Sequence, residues 1–453
     1  MIRRRLRHAV LLLCLAVAAP LVVSSPAVAD DRHLTGATRN GAWVLDIPTN
    51  FNGTLLLWSH GYTFTPVPAT NAPSVATRDA LLAEGFALAG SSYKGGGAGW
   101  AVNAGVAAGR ELIGIAKRSI GTAQVARVYA WGNSLGGLIT QTLAERNPAL
   151  VNGVAPLCGV LGGTNLNLDL ALDVAVAVKQ FFYPALRLQR YASAAEAQAN
   201  VDAAMAAILA GLANPSAQPS TAGRLLGITA LLGASAKTRD FSGSSLNSAV
   251  AASVETIQTA LTYGTVGRYD IEQRVGGNAS SNIGVDYTKR INDAALARFQ
   301  AFGFAPGLLK AYAKTLQAFG QRVRANKAAR TRANGLGNPT GRLLDKTVTM
   351  HTQYDPLVLV QNETVFAVRV QAARRTSRLH QLWVVPPATY ADGSPAVSTD
   401  GAPYGAGHCN FATADYLAAM HALDGWVRTG SYTAPAEVGG LRNSLAVPSW
   451  PAR

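Results

Sequence analysis

The segment Trp-Gly-Asn-Ser-Leu-Gly-Gly at residues 131–137 constrains the fold of this chain more than any other. Residues 126–131 before it are typical of a short buried strand, and residues 138–146 after it predict a helix. A serine on a sharp strand-to-helix turn has a strained backbone, so its neighbours two positions away must be small, as Gly132 and Gly136 are. A Gly-x-Ser-x-Gly match also arises by chance in a glycine-rich chain, but these flanks favour Ser134 as a nucleophile.

The first 29 residues are typical of a secretory signal peptide. Arg3, Arg4, Arg5 and Arg7 form a basic region, an apolar run follows at 9–23, and the small residues at 27–29 predict cleavage before Asp30. An uncleaved anchor is the alternative, although the run is short for a membrane span. We therefore expect a secreted protein whose mature form has no membrane span.

The composition indicates a basic protein. Loss of the signal peptide lowers the formal net charge from +15 to +11, which suits an acidic surface or an anionic polymer. Nucleic-acid binding is not expected, because the main basic cluster lacks interleaved aromatic residues and is typical of a solvated helical face. That cluster consists of Arg322, Arg324, Lys327, Arg330 and Arg332.

Strand and helix patterns alternate along residues 30–160 and again along 344–453, which predicts βαβ units and a parallel sheet. Predicted strands are 42–48, 54–59, 86–90, 126–131, 153–157, 346–352 and 379–385. Between the two blocks, residues 161–343 are rich in alanine and leucine at helical spacing, with long helical patterns such as 294–333. We interpret this segment as a mainly helical cap inserted over the carboxyl edge of the sheet, where ligands bind.

A serine nucleophile needs a base, and His408 is the candidate. It lies in a loop after the last predicted strand, from which it can reach Ser134; a surface loop histidine is the alternative. His380, His421 and His351 are interpreted as packing, surface or structural residues, and His33 carries no signal.

Asp355 is the candidate acid that orients the base. It follows the first strand after the insertion and so lies at the same sheet edge as Ser134. The alternative is an ordinary helix N-cap before Pro356. Asp400 is a weaker candidate, and Asp169 or Asp173 would place the acid in the cap.

Two backbone amides are candidates for an oxyanion hole: that of Leu135, next after the nucleophile, and that of Tyr62 in the loop after strand 54–59. Gly61 allows the loop to approach closely, and His60 is interpreted as bracing it. The glycine-rich segment 94–100 lacks a dinucleotide-binding context and is interpreted as a flexible wall of the site, with Trp100 lining it. Residues 181–184 favour packing within the cap over contact with an acyl chain.

These motifs resemble those of the α/β-hydrolase superfamily, in the chain order serine, aspartate, histidine. The resemblance covers roughly residues 41–160 and 344–430 and is to secreted, large-capped bacterial esterases, lipases, tannase-like or polyester-cleaving enzymes. It implies a Ser-His-Asp hydrolase without metal or organic cofactor, acting on a small-molecule or polymeric ester. The insertion at 161–343 matches no particular cap, and the sequence does not indicate the oligomeric state.

Cys158 and Cys409 remain after signal-peptide removal, and the oxidising environment of an exported protein favours a disulfide between them. The turn at Ser134 and the helix at 138–146 after it are called the elbow and the elbow helix. Cys158 follows the strand after the elbow helix, and Cys409 follows His408; these two places are neighbours in the expected fold. Two buried free thiols are the alternative. Two further functions also remain open: a serine exopeptidase or amidase on the same triad, and a catalytically silent hydrolase fold that serves as a binding protein.

Overall fold

A nine-stranded sheet forms the centre of the computed structural model, which describes residues 31–386 and 405–452. The predicted signal peptide and Asp400 lie outside these residues. The spatial strand order is β1-β2-β4-β3-β5-β6-β7-β8-β9. The strands are β1 Arg32–Thr38, β2 Gly41–Ile47, β3 Thr54–Ser59, β4 Ala87–Ser91, β5 Arg127–Asn133, β6 Gly153–Leu157, β7 Lys346–Thr352, β8 Leu379–Val384 and β9 Leu441–Arg442.

Six adjacent strands, from β4 through β3, β5, β6 and β7 to β8, run parallel. Their near-continuous apolar sequences are explained by burial on both faces, as in β3, where every residue is buried. β1, β2 and β9 pair antiparallel at the two edges. The predicted, mostly parallel sheet is confirmed. β1 was missed, because its polar, half-exposed sequence has none of the apolar character of a central strand.

Five helices outside the insertion cover the sheet. α2 and α3 pack on one face, in a core with the apolar side chains of β3 and β5, and α1 and α13 pack on the other. α12 carries a smaller core of its own with Leu161 and Leu343. These helices are α1 Val75–Ala83, α2 Val102–Ile120, α3 Leu135–Arg146, α12 Gln361–Ala372 and α13 Thr413–Thr429.

The segment between β6 and β7 is mainly helical and has its own apolar core, to which α4, α5, α6 and α7 contribute. Phe181, Phe182 and Tyr183 pack against this core. The helices are α4 Thr164–Phe181, α5 Ala194–Ala213, α6 Gln218–Leu231, α7 Leu246–Thr262, α8 Arg268–Val275, α9 Asp293–Ala301, α10 Pro306–Phe319 and α11 Lys327–Asn334.

The helical pattern at 294–333 is divided into three helices instead of one. Gly303 has a φ of +83° after α9, and Pro306 starts α10 at the position where its missing amide hydrogen costs nothing. The chain between α10 and α11 has no helical hydrogen bonding. Apolar spacing alone did not reveal these breaks, because α9 and α10 face the same core and α11 continues the helical spacing against a neighbouring one.

The basic cluster at 322–332 is not simply a solvated helical face. Arg330 forms an ion pair of 2.9 Å with the buried Asp169, and Arg322 donates to the carbonyls of Asn282 and Val285. Both arginines therefore hold the helical segment together, because they satisfy polar groups that are withdrawn from water.

Within the described ranges, none of the helices combines the length and the apolar composition needed to cross a bilayer.

We predict opposite effects for alanine at two helical glycines. A Cβ on Gly136 in α3 would lie 2.0 Å from the carbonyl oxygen of Ser59, whereas one on Gly425 in α13 would meet nothing within 4 Å. Gly136→Ala should lower the free energy of unfolding by about 3 kcal/mol through overpacking. Gly425→Ala should raise it by about 0.5–1 kcal/mol through helix propensity.

Urea unfolding of the two variants, followed by circular dichroism, tests this pair. If Gly136→Ala were as stable as the wild type, the close approach of β3 to the start of α3 would not be required for the stability of the fold.

Candidate active site

Ser134 occupies the turn between β5 and α3 in a strained backbone conformation. Its φ is 59° and its ψ is −124°, a backbone region that residues other than glycine rarely adopt. The elbow glycines make this turn possible, because a Cβ on Gly132 would lie 2.4 Å from the carbonyl oxygen of Ser59. The amide of Ser134 donates to the carbonyl of Leu157 at 3.0 Å, which fixes the turn against the end of β6.

Asp355 lies just beyond the end of β7, with its carboxylate fully buried. Its Oδ1 accepts hydrogen bonds from the amides of Leu357 and Val358, both at 2.9 Å. Its Oδ2 lies 2.7 Å from Nδ1 of His408. The alternative reading as a helix N-cap does not apply, because α12 begins only at Gln361; the aspartate caps a local turn and still has an oxygen left for the histidine.

His408 is held at the sheet edge by the backbone around it. The carbonyl of Gly407 accepts from the Thr352 hydroxyl at 2.9 Å, and its amide donates to the carbonyl of Tyr354 at 2.8 Å. Because Nδ1 donates to the Asp355 carboxylate, Nε2 is the nitrogen left to accept a proton. In the described part of the chain no hydrogen bond joins Nε2 to the Ser134 hydroxyl, a contact that often tightens only when substrate binds.

A disulfide joins Cys158, directly after β6, to Cys409, with Cα atoms 5.5 Å apart and 251 residues apart in sequence. Cys409 Sγ lies 3.5 Å from Nε2 of His408, so the bridge holds the loop that carries the histidine. The same three residues offer ligand atoms within 4.8 Å of one another. Oxidation to a disulfide removes the thiolates that a metal would bind, so this group is a crosslink beside the histidine.

His351 is a buried part of the site that sequence reasoning treated only as structural. Its Nε2 lies 3.6 Å from Oδ2 of Asp355 and 2.8 Å from the carbonyl oxygen of Val358, and its Nδ1 lies 3.3 Å from Glu363. Burial lowers the pKa of His351, but the hydrogen bond and charge of Glu363, together with the charge of Asp355, outweigh it and raise the pKa above its usual value. Both ring nitrogens thus face oxygen acceptors, and the raised pKa favours the protonated ring beside the two buried carboxylates.

The predicted oxyanion donors lie beside Ser134. A Cβ on Gly61 would be 3.2 Å from the Cβ of Ser134, which shows how closely that loop approaches the serine. Among the described residues, the backbone amides of Tyr62 and Leu135 donate to no protein acceptor. His60 stacks on Tyr93 at 4.1 Å and bonds the carbonyl of Gly61 through Nδ1. Burial lowers the pKa of His60, so its neutral ring braces the loop.

A cavity of about 970 Å³, part of which opens to solvent, extends from Ser134 to the helical segment. Tyr62 and Leu135 line it on the sheet side, and residues of α4 and α7 line it on the other. Trp100 also lines it, as expected. The wall that carries Trp100 is held by hydrogen bonds and is not the flexible wall that was expected. The Trp100 amide donates to Asp270 of α8 at 2.6 Å, and the indole donates to Thr164 of α4 at 2.9 Å.

The remaining candidate residues lie elsewhere. Asp169 and Asp173 are buried in the helical segment and paired with Arg330 and Arg290. His380 stacks on Tyr432, His421 contacts Glu84 at the surface, and His33 on β1 pairs with Asp46 at an edge of the sheet.

We predict that loss of the disulfide destabilises the protein by about 3–5 kcal/mol, because the bridge closes a very long loop of the unfolded chain. The double variant Cys158→Ala/Cys409→Ala should therefore unfold at a lower temperature and lose activity, since the His408 loop becomes freer. Differential scanning calorimetry with and without reductant measures the first effect. Reductant should not change the unfolding temperature of the double variant. An unfolding temperature of the wild type that reductant leaves unchanged would contradict the prediction.

We also predict a pH-dependent contribution of His351 to stability. A folded-state pKa raised above about 6.5 means that the stabilisation is fully present below that pH and is lost as the pH rises through the folded-state pKa. The stability difference between wild type and His351→Gln should therefore be largest below about pH 6.5 and shrink as the pH rises through the folded-state pKa. Urea unfolding across this range measures it, and a difference independent of pH would show that His351 is not charged in the folded protein.

No protein-family model matches the sequence, and no curated protein matches it. Solved structures do match. Feruloyl esterase B from Aspergillus oryzae is 12% identical with a TM-score of 0.41, covering 88% of this chain and 81% of that one. The rice cell wall degrading esterase LipA from Xanthomonas oryzae, in a ligand-bound form, is 13% identical with a TM-score of 0.34, covering 78% and 80%. Proline iminopeptidase from Mycobacterium smegmatis is 11% identical with a TM-score of 0.34, covering 83% and 92%.

Likeness at this level carries no information about the substrate. The fold follows from the chain's own features: the mostly parallel sheet with antiparallel edges, the serine turn between β5 and α3, and an acid and a histidine presented after β7 and β8. The chain has the α/β-hydrolase fold.

Proposed function

We propose that the protein is a secreted serine hydrolase that cleaves carboxylic esters through Ser134, His408 and Asp355. The observation that carries the proposal is the 2.7 Å contact between His408 Nδ1 and a buried Asp355 carboxylate, at the sheet edge where Ser134 stands in its strained turn. A buried acid that orients a histidine beside a strained serine is the arrangement that acyl transfer requires.

In the proposed reaction, His408 Nε2 takes the proton of the Ser134 hydroxyl as its oxygen attacks the ester carbonyl. The amides of Leu135 and Tyr62 stabilise the negative oxygen of the tetrahedral intermediate. His408 then passes the proton to the departing alcohol, which leaves an acyl group on Ser134. Water then attacks this acyl-enzyme as the same nitrogen takes its proton, and that proton passes to Oγ of Ser134 when the acid is released.

The electrostatics of the site support this cycle. Asp355 stabilises the imidazolium form of His408 in each half-reaction, and its two backbone hydrogen bonds keep the carboxylate aimed at Nδ1. His351 Nε2 lies 3.6 Å from the same Oδ2 that His408 contacts, and its protonated ring offsets the negative charge of the carboxylate.

Helix α3 contributes as well, because the positive end of its dipole lies directly beneath Ser134 and favours an anion there. Residues 161–343 act in the proposal as a cap that shields the acyl-enzyme from water on one side.

The exopeptidase or amidase alternative would need a charged group to hold a peptide terminus. The described residues that line the cavity include no aspartate, glutamate, lysine or arginine, so no such group faces Ser134 there. This observation favours esters over peptides with free termini. No specific observation favours the binding-protein alternative, and the contact between His408 and Asp355 near Ser134 supports the enzyme proposal instead.

We predict that Ser134→Ala lowers kcat/KM on p-nitrophenyl esters by at least about a thousandfold, because removal of the nucleophile leaves only binding and oxyanion contacts. The fold should persist, since the alanine methyl group fits wherever the serine Cβ fits. A fluorophosphonate probe should label wild-type Ser134 and leave the variant unlabelled, as shown by peptide mass spectrometry.

Two controls separate the alternatives. Folded wild-type protein that takes up no probe would favour the binding protein and contradict the proposal. Faster hydrolysis of aminoacyl-p-nitroanilides than of the matched esters would favour the exopeptidase reading on the same triad.

A further inference from the structure

We infer that the cavity between Ser134 and helices α4 and α7 receives the acyl group of the ester, and that this acyl group is uncharged and apolar. The inference rests on the proposed function and names the class of substrate that the site would take.

The position of His408 decides which half of the ester enters the cavity. The departing alcohol must receive its proton from Nε2 of His408, so it lies on the histidine's side of the carbonyl carbon. His408 is not part of the cavity wall, whereas Leu135 and Tyr62, which bear the oxyanion donors, are. The acyl group, on the far side of the carbonyl from the leaving alcohol, therefore points into the cavity.

The wall beyond Ser134 is aliphatic. α4 contributes Leu168, Ala171 and Val174, and α7 contributes Ile257 and Ala260. A hydrocarbon chain placed against such a wall leaves water, with a gain of roughly 25 cal/mol per Å² of buried apolar surface. An ionised group in the same place would lose its hydration without a partner, which costs far more.

Most polar groups of the wall are already used. The hydroxyl of Thr229 donates to the carbonyl of Leu226 at 3.0 Å, and that of Thr256 to the carbonyl of Ala252 at 2.8 Å, both within their own helices. Asn167 bonds Asn362 and the carbonyl of Gly163. These three side chains are satisfied by other groups of the protein and do not require a polar group on the substrate.

Two tyrosine hydroxyls are the exception. Tyr62 and Tyr263 line the cavity edge-to-face with ring centres 5.3 Å apart, and within the described ranges neither hydroxyl bonds another protein group. Burial and the charge of Asp355 raise the pKa of Tyr263, and burial and the charge of Asp270 raise that of Tyr62. Both phenols stay protonated, so they can donate to an uncharged oxygen, and the neighbouring carboxylates disfavour an anion.

The size of the cavity is fixed by contacts between the core and the helical segment. Asp270 accepts from the amide of Trp100, and Arg274 donates to the carbonyl of Ala98 at 2.9 Å. A wall tied in this way does not widen freely, so the acyl chain length should have a definite upper limit.

The test is a series of p-nitrophenyl esters of linear acids from acetate upward. Each added methylene should raise kcat/KM by about fourfold until the cavity is filled. Ala260→Leu, which projects a larger side chain from α7 into the cavity, should lower kcat/KM on the best long ester by at least about tenfold more than it lowers kcat/KM on acetate.

Ala251→Leu is the matched control, because this alanine is also half-buried on α7 but does not line the cavity. It should leave the whole series unchanged. A second comparison uses the hemisuccinate ester against the butyrate ester, and we expect the charged ester to react at least about tenfold more slowly.

Several results would overturn the inference while the proposed function stands. One is hydrolysis of acetate without any gain from longer acids. Others are an Ala260→Leu profile identical to wild type, a shift seen only when the alcohol chain is lengthened instead of the acid, or equal rates on hemisuccinate and butyrate. Failure of the folded wild type to cleave any ester in the series would instead contradict the proposed function.

Discussion

The backbone of Ser134 is the constraint on which the site depends. A φ of 59° at a residue with a side chain costs free energy, and it persists only because the surroundings leave no alternative. The carbonyl of Ser59 at the end of β3 fills the space that a Cβ on Gly132 or Gly136 would need. β3, β5 and the start of α3 are therefore packed so closely that the serine is lifted from the sheet, and the same packing sets where Gly61 and the oxyanion loop can lie.

The orientation of Asp355 and His408 depends on a second constraint, the burial of two carboxylates and one imidazole behind His408. Asp355 and Glu363 are both buried, and His351 lies between them. Glu363 also accepts from the Thr349 hydroxyl at 2.5 Å and from Gln381 at 2.6 Å, so this carboxylate is anchored to β7 and β8. The result is a support that runs from β7 and β8 through Glu363 to His351, whose Nε2 bonds the carbonyl of Val358 and lies 3.6 Å from Oδ2 of Asp355. The two backbone hydrogen bonds to Oδ1 and the contact of Oδ2 with His408 keep this buried aspartate oriented.

The sequence predicted the features that follow from local patterns. The parallel strands were read from continuous apolar runs, and the acid and histidine from loops placed after particular strands, which the structure brings together at 2.7 Å. His351 could not be found in this way, because its significance comes from Glu363 on a later helix, and nothing in the strand pattern at 346–352 distinguishes it from a structural residue. Arg330 likewise resembled a surface residue, since its partner Asp169 is 161 positions away. Contacts between distant segments, and breaks between helices that face one core, depend on tertiary packing that periodicity does not record.

Helix α4 shows how the helical segment keeps the proposed substrate cavity neutral. Asp169 and Asp173 are four residues apart and so lie on one side of the helix, where Arg330 and Arg290 pair with them at 2.9 and 2.6 Å. Ala171 and Val174 lie on the side that lines the cavity. Because the carboxylates are turned away and compensated by arginines from later in the segment, the buried charge that stabilises this part of the fold does not reach the space above Ser134. One helix thus carries both an apolar cavity wall and two buried ion pairs, and this division leaves the described cavity wall uncharged beside the polar sheet edge that carries Ser134, Asp355 and His408.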